Sequence, residues 1–245
     1  MTEPLHPGAR RLTLTLVGLV LGATSLRTMA DEPPIPPPRP PELAPPAKPA
    51  QEPPPSASSE GAATCLATLI ASGADAEAAP APAGTVEGCG IDAPVRLSSV
   101  TVMGSDIVSF PDRPLLDCQF AAVFTDYVRL IVAPLGQTML HAKIVGIETG
   151  PGYDCRTQDR IAGAKISAHA KGLAVDFVAI TLADKRRVLV ERQTGSDASY
   201  FRAVRMAACG WFTTVLGPGT DAFHVSHMHL DIAPHGSSGS YRICQ

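Results

Sequence analysis

The sequence predicts an α+β domain with a mostly antiparallel sheet and flanking helices, stapled by disulfides. Three observations carry that expectation. Short apolar or alternating segments, the mark of strands, recur at residues 94–103, 143–149, 173–182, 187–191 and 225–232. Three other segments repeat apolar residues at helical spacing. All six cysteines fall in the same part of the chain, and none forms a CxxC pair.

Taken in order, Ser58 and Ser59 with Glu60 mark a helix start, and Cys65, Leu66, Leu69 and Ile70 continue it at helical spacing. Residues 71–88, rich in Ala, Gly and Pro, end that helix in a loop. Residues 94–103 alternate apolar and small polar side chains and predict a strand. Asp112 caps a second helix with Pro114 in its first turn. Phe120, Val123, Phe124 and Tyr127 give that helix an apolar face until Pro134 stops it. An apolar strand at 143–149 turns at Gly150-Pro151-Gly152, and the polar residues 156–165 read as loop. Strands at 173–182 and 187–191 flank a turn at Ala183-Asp184-Lys185. Residues 199–209 predict a third helix, with Phe201, Val204 and Ala208 on one side and Arg202 and Arg205 on the other. Gly217-Pro218-Gly219 turns the chain toward the last strand at 225–232.

These elements occupy residues 58–245, enough for one domain with a substantial core. Residues 1–30 read differently. Arg10 and Arg11 precede an apolar run, and Thr28-Met29-Ala30 resembles a small-residue cleavage site, the layout of a secretory signal peptide. The alternative is an uncleaved N-terminal anchor, although the run is roughly half the ~20 apolar residues of a membrane span. Residues 31–57 hold about half of the 24 prolines and predict an extended, solvated tether. The formal net charge is −3, with dispersed basic residues, so no basic stripe argues for nucleic acid.

An even cysteine count behind an export signal reads as a disulfide set. Cys65, Cys89, Cys118, Cys155, Cys209 and Cys244 allow fifteen pairings, and sequence cannot choose among them. Order along the chain favours Cys65–Cys89 and Cys209–Cys244, leaving Cys118 with Cys155.

Two stretches carry the chemistry. Three of the seven histidines crowd into residues 224–229, and a His and an Asp share residues 167–177. On the last strand His227, His229 and Asp231 fall on one face while Met228 and Leu230 take the other. A polar face of that kind is a poor surface to bury unless something pairs with it. In the first stretch Gly172 lets the chain turn back, which brings His169 alongside Asp176. His169, Asp176 and His229 therefore form a candidate metal set, and neutral nitrogen and carboxylate ligands without thiolate favour zinc. His141 and His235 read as ordinary surface or core residues.

Ser167-x-His169-x-x-Gly172-x-Ala174-x-Asp176 followed by His227-x-His229 resembles the zinc peptidase fold of the D-Ala-D-Ala carboxypeptidases and LAS-type endopeptidases. The wider pattern resembles the bacterial extensin-like C-terminal domain proteins over roughly residues 60–245. It comprises Cys89-Gly90-Ile91, Pro94-Val95-Arg96-Leu97, Tyr153-x-Cys155-Arg156, Ala207-Ala208-Cys209, Val215-Leu216-Gly217-Pro218-Gly219, His227-x-His229-Leu230-Asp231 and Cys244. The resemblance implies a zinc-peptidase-like fold and an exported protein of the periplasm or cell envelope. It puts His169, Asp176 and His229 on the zinc ligands, His227 beside the metal water, and Arg156 on substrate carbonyl or carboxylate. Two positions depart from the pattern: Ser226 stands where carboxypeptidases have Glu, and Ala168 where many extensin-like domains have Glu.

The resulting expectation is a zinc hydrolase acting on peptidoglycan peptide bonds. With the Glu missing, His227 or His224 would act as base, Asp231 would orient His229 or another imidazole, and Ser167 would brace its loop rather than act as nucleophile. The alternative is a non-catalytic cell-wall-binding or structural module of the same fold, held at the membrane if the leader is retained. Oligomeric state is not set by the sequence.

Overall fold

A computed structural model describes residues 59–83, 86–191 and 194–245. The signal or anchor reading of residues 1–30, the tether at 31–57 and Ser58 lie outside the described residues.

Among the described residues, ten strands form one sheet: β1 (Ala74–Ala78), β2 (Pro94–Val102), β3 (Asp106–Ser109), β4 (Leu115–Asp117), β5 (Ile144–Thr149), β6 (Ala174–Leu182), β7 (Arg187–Leu189), β8 (Thr214–Leu216), β9 (Met228–Asp231) and β10 (Ile243–Cys244). Their order is β1-β2-β3-β5-β6-β9-β8-β10, with β4 on β2 and β7 on β6. Among the described residues, only the β3–β5 and β8–β10 strand pairs are parallel. The helices are α1 (Ser59–Ala71), α2 (Cys118–Tyr127), α3 (Ala133–Met139) and α4 (Gly195–Ala208). The domain is thus α+β with a mostly antiparallel sheet, as the sequence predicts.

One face of the sheet is apolar. Val175 of β6, Leu230 of β9 and Val215 of β8 lie opposite one another across the ladder and are fully buried. Phe177 of β6 meets Phe201 of α4, with ring centroids 6.2 Å apart. Helix α4 locks onto α2 and the turn that follows it through buried polar tips: Tyr127 of α2 donates its hydroxyl to the Val204 carbonyl at 2.7 Å, and Tyr200 of α4 donates to the Val132 carbonyl beyond α2 at 3.2 Å. Burial without that partner would leave a phenol unsatisfied. Alternate side chains point the opposite way, and the other face of β6, β9 and β8 carries Asp176, His229, Asp231 and Thr214. That is the face of the site.

Several sequence expectations are corrected. Residues 71–88 are not all loop: Ala74–Ala78 is a strand on β2, with Ala74 and Ala76 turned inward. Asp112 does not cap the second helix; it accepts the Thr149 amide at 2.8 Å. The cap is Asp117, which accepts Gln119 N–H at 2.9 Å, because Leu115–Asp117 first pairs with β2. Pro134 does not stop the chain's helical run. A π-helical turn, Val128–Val132, widens the coil before it, and Pro134 sits in the first turn of α3, where its missing N–H is tolerated. The third helix begins earlier, at Gly195, and the last strand is shorter, starting at Met228. Strands β3, β8 and β10 had no expectation.

The disulfides are Cys65–Cys118, Cys89–Cys155 and Cys209–Cys244. The last agrees with the order-based pairing. The other two correct it: α1 packs beside α2, so Cys65 meets Cys118, and Cys89 is left facing Cys155.

Candidate metal centre

His169 lies in a short 3₁₀ turn, Ala168–Lys171. Ser167 caps the turn, its Oγ accepting His169 N–H at 3.3 Å. Gly172 ends it in the left-handed region, at φ 67°. A Cβ there would lie 2.6 Å from Asp117 N, so the close approach requires glycine. The turn returns the chain to β6, where Asp176 points to the polar face. His229 stands directly opposite Asp176 on β9.

Three atoms meet there. His169 Nε2 is 3.1 Å from His229 Nδ1, and each is 3.2 Å from Asp176 Oδ1. His169 is 2% exposed and His229 8%. The outward nitrogens settle the tautomers. His169 Nδ1–H donates to the Gly152 carbonyl at 2.7 Å, and His229 Nε2–H donates to Asp231 Oδ2 at 3.0 Å. Both inward nitrogens are therefore lone-pair donors facing each other and a carboxylate. Such a triangle is repulsive unless a cation or a proton occupies it.

A tetrahedral zinc with ligands about 2.0–2.1 Å away has ligand–ligand edges of about 3.3 Å. The edges here are 3.1–3.2 Å, and the donor set is two imidazoles and one carboxylate. The residues fit a zinc with an open fourth position.

The electrostatics agree. Burial alone would raise the Asp176 carboxyl, but His169 and His229 hydrogen-bond it and hold it well below the usual carboxylate range. Burial alone would lower His229; Asp176 and Asp231 on either side overcome this and push it up to about 9. In the metal-free protein a proton on His229 takes the cation's place. His227 is lowered, first by burial and then by neighbouring imidazoles, against the pull of Asp176.

The remaining predicted residues surround this centre. A cleft of about 200 Å³ is lined by Arg156, Ser167, Asp176, His224, His227, His229 and Asp231, among others. His227 precedes β9 instead of lying on it, yet its Nε2 is 3.4 Å from Asp176 Oδ1. His224 is buried, and its Nδ1–H donates to the Asp221 carboxylate at 2.8 Å. Its ring centroid is 5.3 Å from that of His227 and 5.7 Å from that of His229. Arg156 reaches the cleft with Nε 3.0 Å from Asp154 Oδ2, at an angle that makes no hydrogen bond. Asp231 is buried, and its Oδ1 accepts Thr213 Oγ1–H at 3.1 Å and Ala233 N–H at 3.0 Å. Ser226 is exposed.

Sequence reasoning missed three participants. Gly152 contributes only a carbonyl, which no residue type announces. Asp221, three residues before His224, was legible as a possible imidazole partner. His235 is half-buried and shares a 2.6 Å hydrogen bond with Thr214 Oγ1, as an ordinary satisfied residue would, but it also lines the cleft. His141 is exposed, as expected. A separate cavity of about 280 Å³ between Phe201, Arg202, Arg205 and Met228 contains no histidine.

Fold and site together define an α+β domain that presents a His/Asp/His triad on the polar face of an antiparallel sheet. The family model described as extensin-like protein C-terminus matches residues 63–245, and the chain belongs to that family. No curated protein and no solved structure matches it.

Proposed function

We propose that this domain is an exported, zinc-dependent hydrolase of the cell envelope, acting on the peptide bonds of peptidoglycan. The observation that supports it is the triangle of His169 Nε2, Asp176 Oδ1 and His229 Nδ1, with the outward nitrogen of each imidazole against an acceptor, the Gly152 carbonyl for His169 and the Asp231 carboxylate for His229. Zinc held there would polarise a scissile carbonyl and acidify a bound water. His227, which burial favours in the neutral form, would accept a proton through the Nε2 edge that faces Asp176 and would return it to the leaving amine. His224 stands in the same cleft with its Nδ1 on the Asp221 carboxylate, and its Nε2 would be a second acceptor. Arg156 offers guanidinium donors to the developing oxyanion or to a substrate carboxylate. Asp231 holds His229 in its tautomer. The export signal and three disulfides support an oxidising compartment.

A zinc-peptidase-like ancestry belongs to the same proposal, as does the Pro-rich arm acting as a tether. One observation favours a second reading, a metal-containing wall-binding module: the place of a catalytic Glu holds exposed Ser226. Metal analysis of the purified domain, together with release of new amino groups from cell-wall peptides, separates the two. The hydrolase releases amines, and His229→Ala abolishes both release and zinc. Amine release that survives His229→Ala refutes the zinc mechanism, and zinc content without release favours the binding module.

A further inference from the structure

We infer that the Cys89–Cys155 disulfide is a positioning element of the metal centre, in a way that the other two disulfides are not. The inference rests on the metal-site reading above.

Asp176 and His229 are held by the β6–β9 ladder, but His169 sits in a turn with no ladder of its own. Contacts from two loops hold that turn. From the first, Gly90 N–H donates to the Ala170 carbonyl at 2.8 Å. From the second, Asp154 N–H donates to the His169 carbonyl at 3.2 Å, and the Gly152 carbonyl accepts His169 Nδ1–H at 2.7 Å. The first loop belongs to no strand or helix. The second is tied to β4 as far as Tyr153, where Leu115 N–H donates to the Pro151 carbonyl at 2.9 Å and Tyr153 N–H to the Leu115 carbonyl at 2.8 Å, and Asp154 and Cys155 lie just beyond that tie. Cys89 immediately precedes Gly90, and Cys155 immediately follows Asp154. Their bond therefore joins the two loops beside the two donors that grip consecutive carbonyls of the ligand turn. The first loop also presses on the chain leading into the turn, since a Cβ on Gly88 would lie 3.2 Å from Ile166 Cγ1. Arg156 follows Cys155, and its carbonyl accepts the Ser167 N–H at 3.0 Å, at the head of the ligand turn.

The other disulfides lie differently. Cys209–Cys244 ties the end of α4 to β10. Cys65–Cys118 stands beside Asp117, whose amide donates to the Gly172 carbonyl at 2.9 Å. Asp117 is nevertheless fixed independently, by the β4–β2 ladder and by the start of α2.

The test compares three double variants: Cys89→Ser with Cys155→Ser, Cys65→Ser with Cys118→Ser, and Cys209→Ser with Cys244→Ser. Zinc affinity is read by competition with a chromophoric chelator, and folding by thermal melting. The expected result is a zinc affinity about 10- to 100-fold weaker in the first variant, the range for removing outer support of a ligand. The other two should keep wild-type affinity while melting lower. Equal weakening in all three, or wild-type affinity in the first, overturns the inference. A wild-type protein that binds no zinc overturns both this and the metal-site reading.

If the first variant does not fold, the intact protein is partly reduced with a phosphine, alkylated and mapped by mass. Zinc loss should then track opening of Cys89–Cys155 and not of the other pairs. Zinc retained on molecules alkylated at Cys89 and Cys155 overturns it.

Discussion

Replacing Asp231 by Asn tests the centre without touching a ligand. Asp231 Oδ1 already accepts Thr213 Oγ1–H and Ala233 N–H, so an oxygen must stay in that position. The Asn amide nitrogen then takes the place of Oδ2, which lies 3.0 Å from His229 Nε2. Two N–H donors would face each other. The imidazole escapes by moving its proton to Nδ1, the atom that faces His169 and Asp176. A protonated Nδ1 cannot ligate. Loss of this kind of support weakens metal binding about 10- to 100-fold, or about 1.4–2.8 kcal/mol. The substitution changes almost no volume, so the core on the opposite face stays packed. Zinc affinity is measured by chelator competition, and the tautomer by nitrogen NMR of labelled histidine. Wild-type affinity with His229 Nδ1 still unprotonated would refute the account of how this site is built.

Two further outcomes are expected. In the metal-free protein His229 has a folded value of about 9, above its ordinary 6.5. Its contribution is therefore complete below about pH 6.5 and is lost as pH rises through 9. The difference corresponds to about 3 kcal/mol, so thermal melts in chelator should fall between pH 7 and pH 9, and the fall should shrink with zinc. A flat profile in chelator would contradict it. Gly172→Ala places a Cβ 2.6 Å from Asp117 N at a φ of 67°, which costs about 1–3 kcal/mol and displaces the His169 turn. Melting temperature and zinc affinity should drop together, whereas Gly219→Ala, with open space around it, should leave zinc binding unchanged.

The clustering of His169, Asp176 and His229 was legible because its signals are local and chemical. The alternation of His229 and Asp231 against Met228 and Leu230 fixes which face each side chain takes, and Gly172 announces the turn that returns His169. What could not be read depends on long-range choices. Ala74–Ala78 carries no β-branched residue, so its strand exists only because β2 offers an edge. Asp112 and Asp117 are equally good caps in isolation, and the β4–β2 pairing decides between them. The Cys65–Cys118 bond follows from helix packing, not from order along the chain. The acceptor that sets the His169 tautomer is a backbone carbonyl, invisible in side-chain patterns.

Asp176 and His229 face each other across one antiparallel pairing, fifty-three positions apart in the chain. A slip of one residue between those strands would turn His229 into the helix layer. A slip of two would carry it about 7 Å along the strand, out of reach of the other ligands. Among the alignments these two strands can try, a bound ion can reward only one. Uptake of the proposed zinc would therefore read out whether two strands far apart in the sequence have been paired in register.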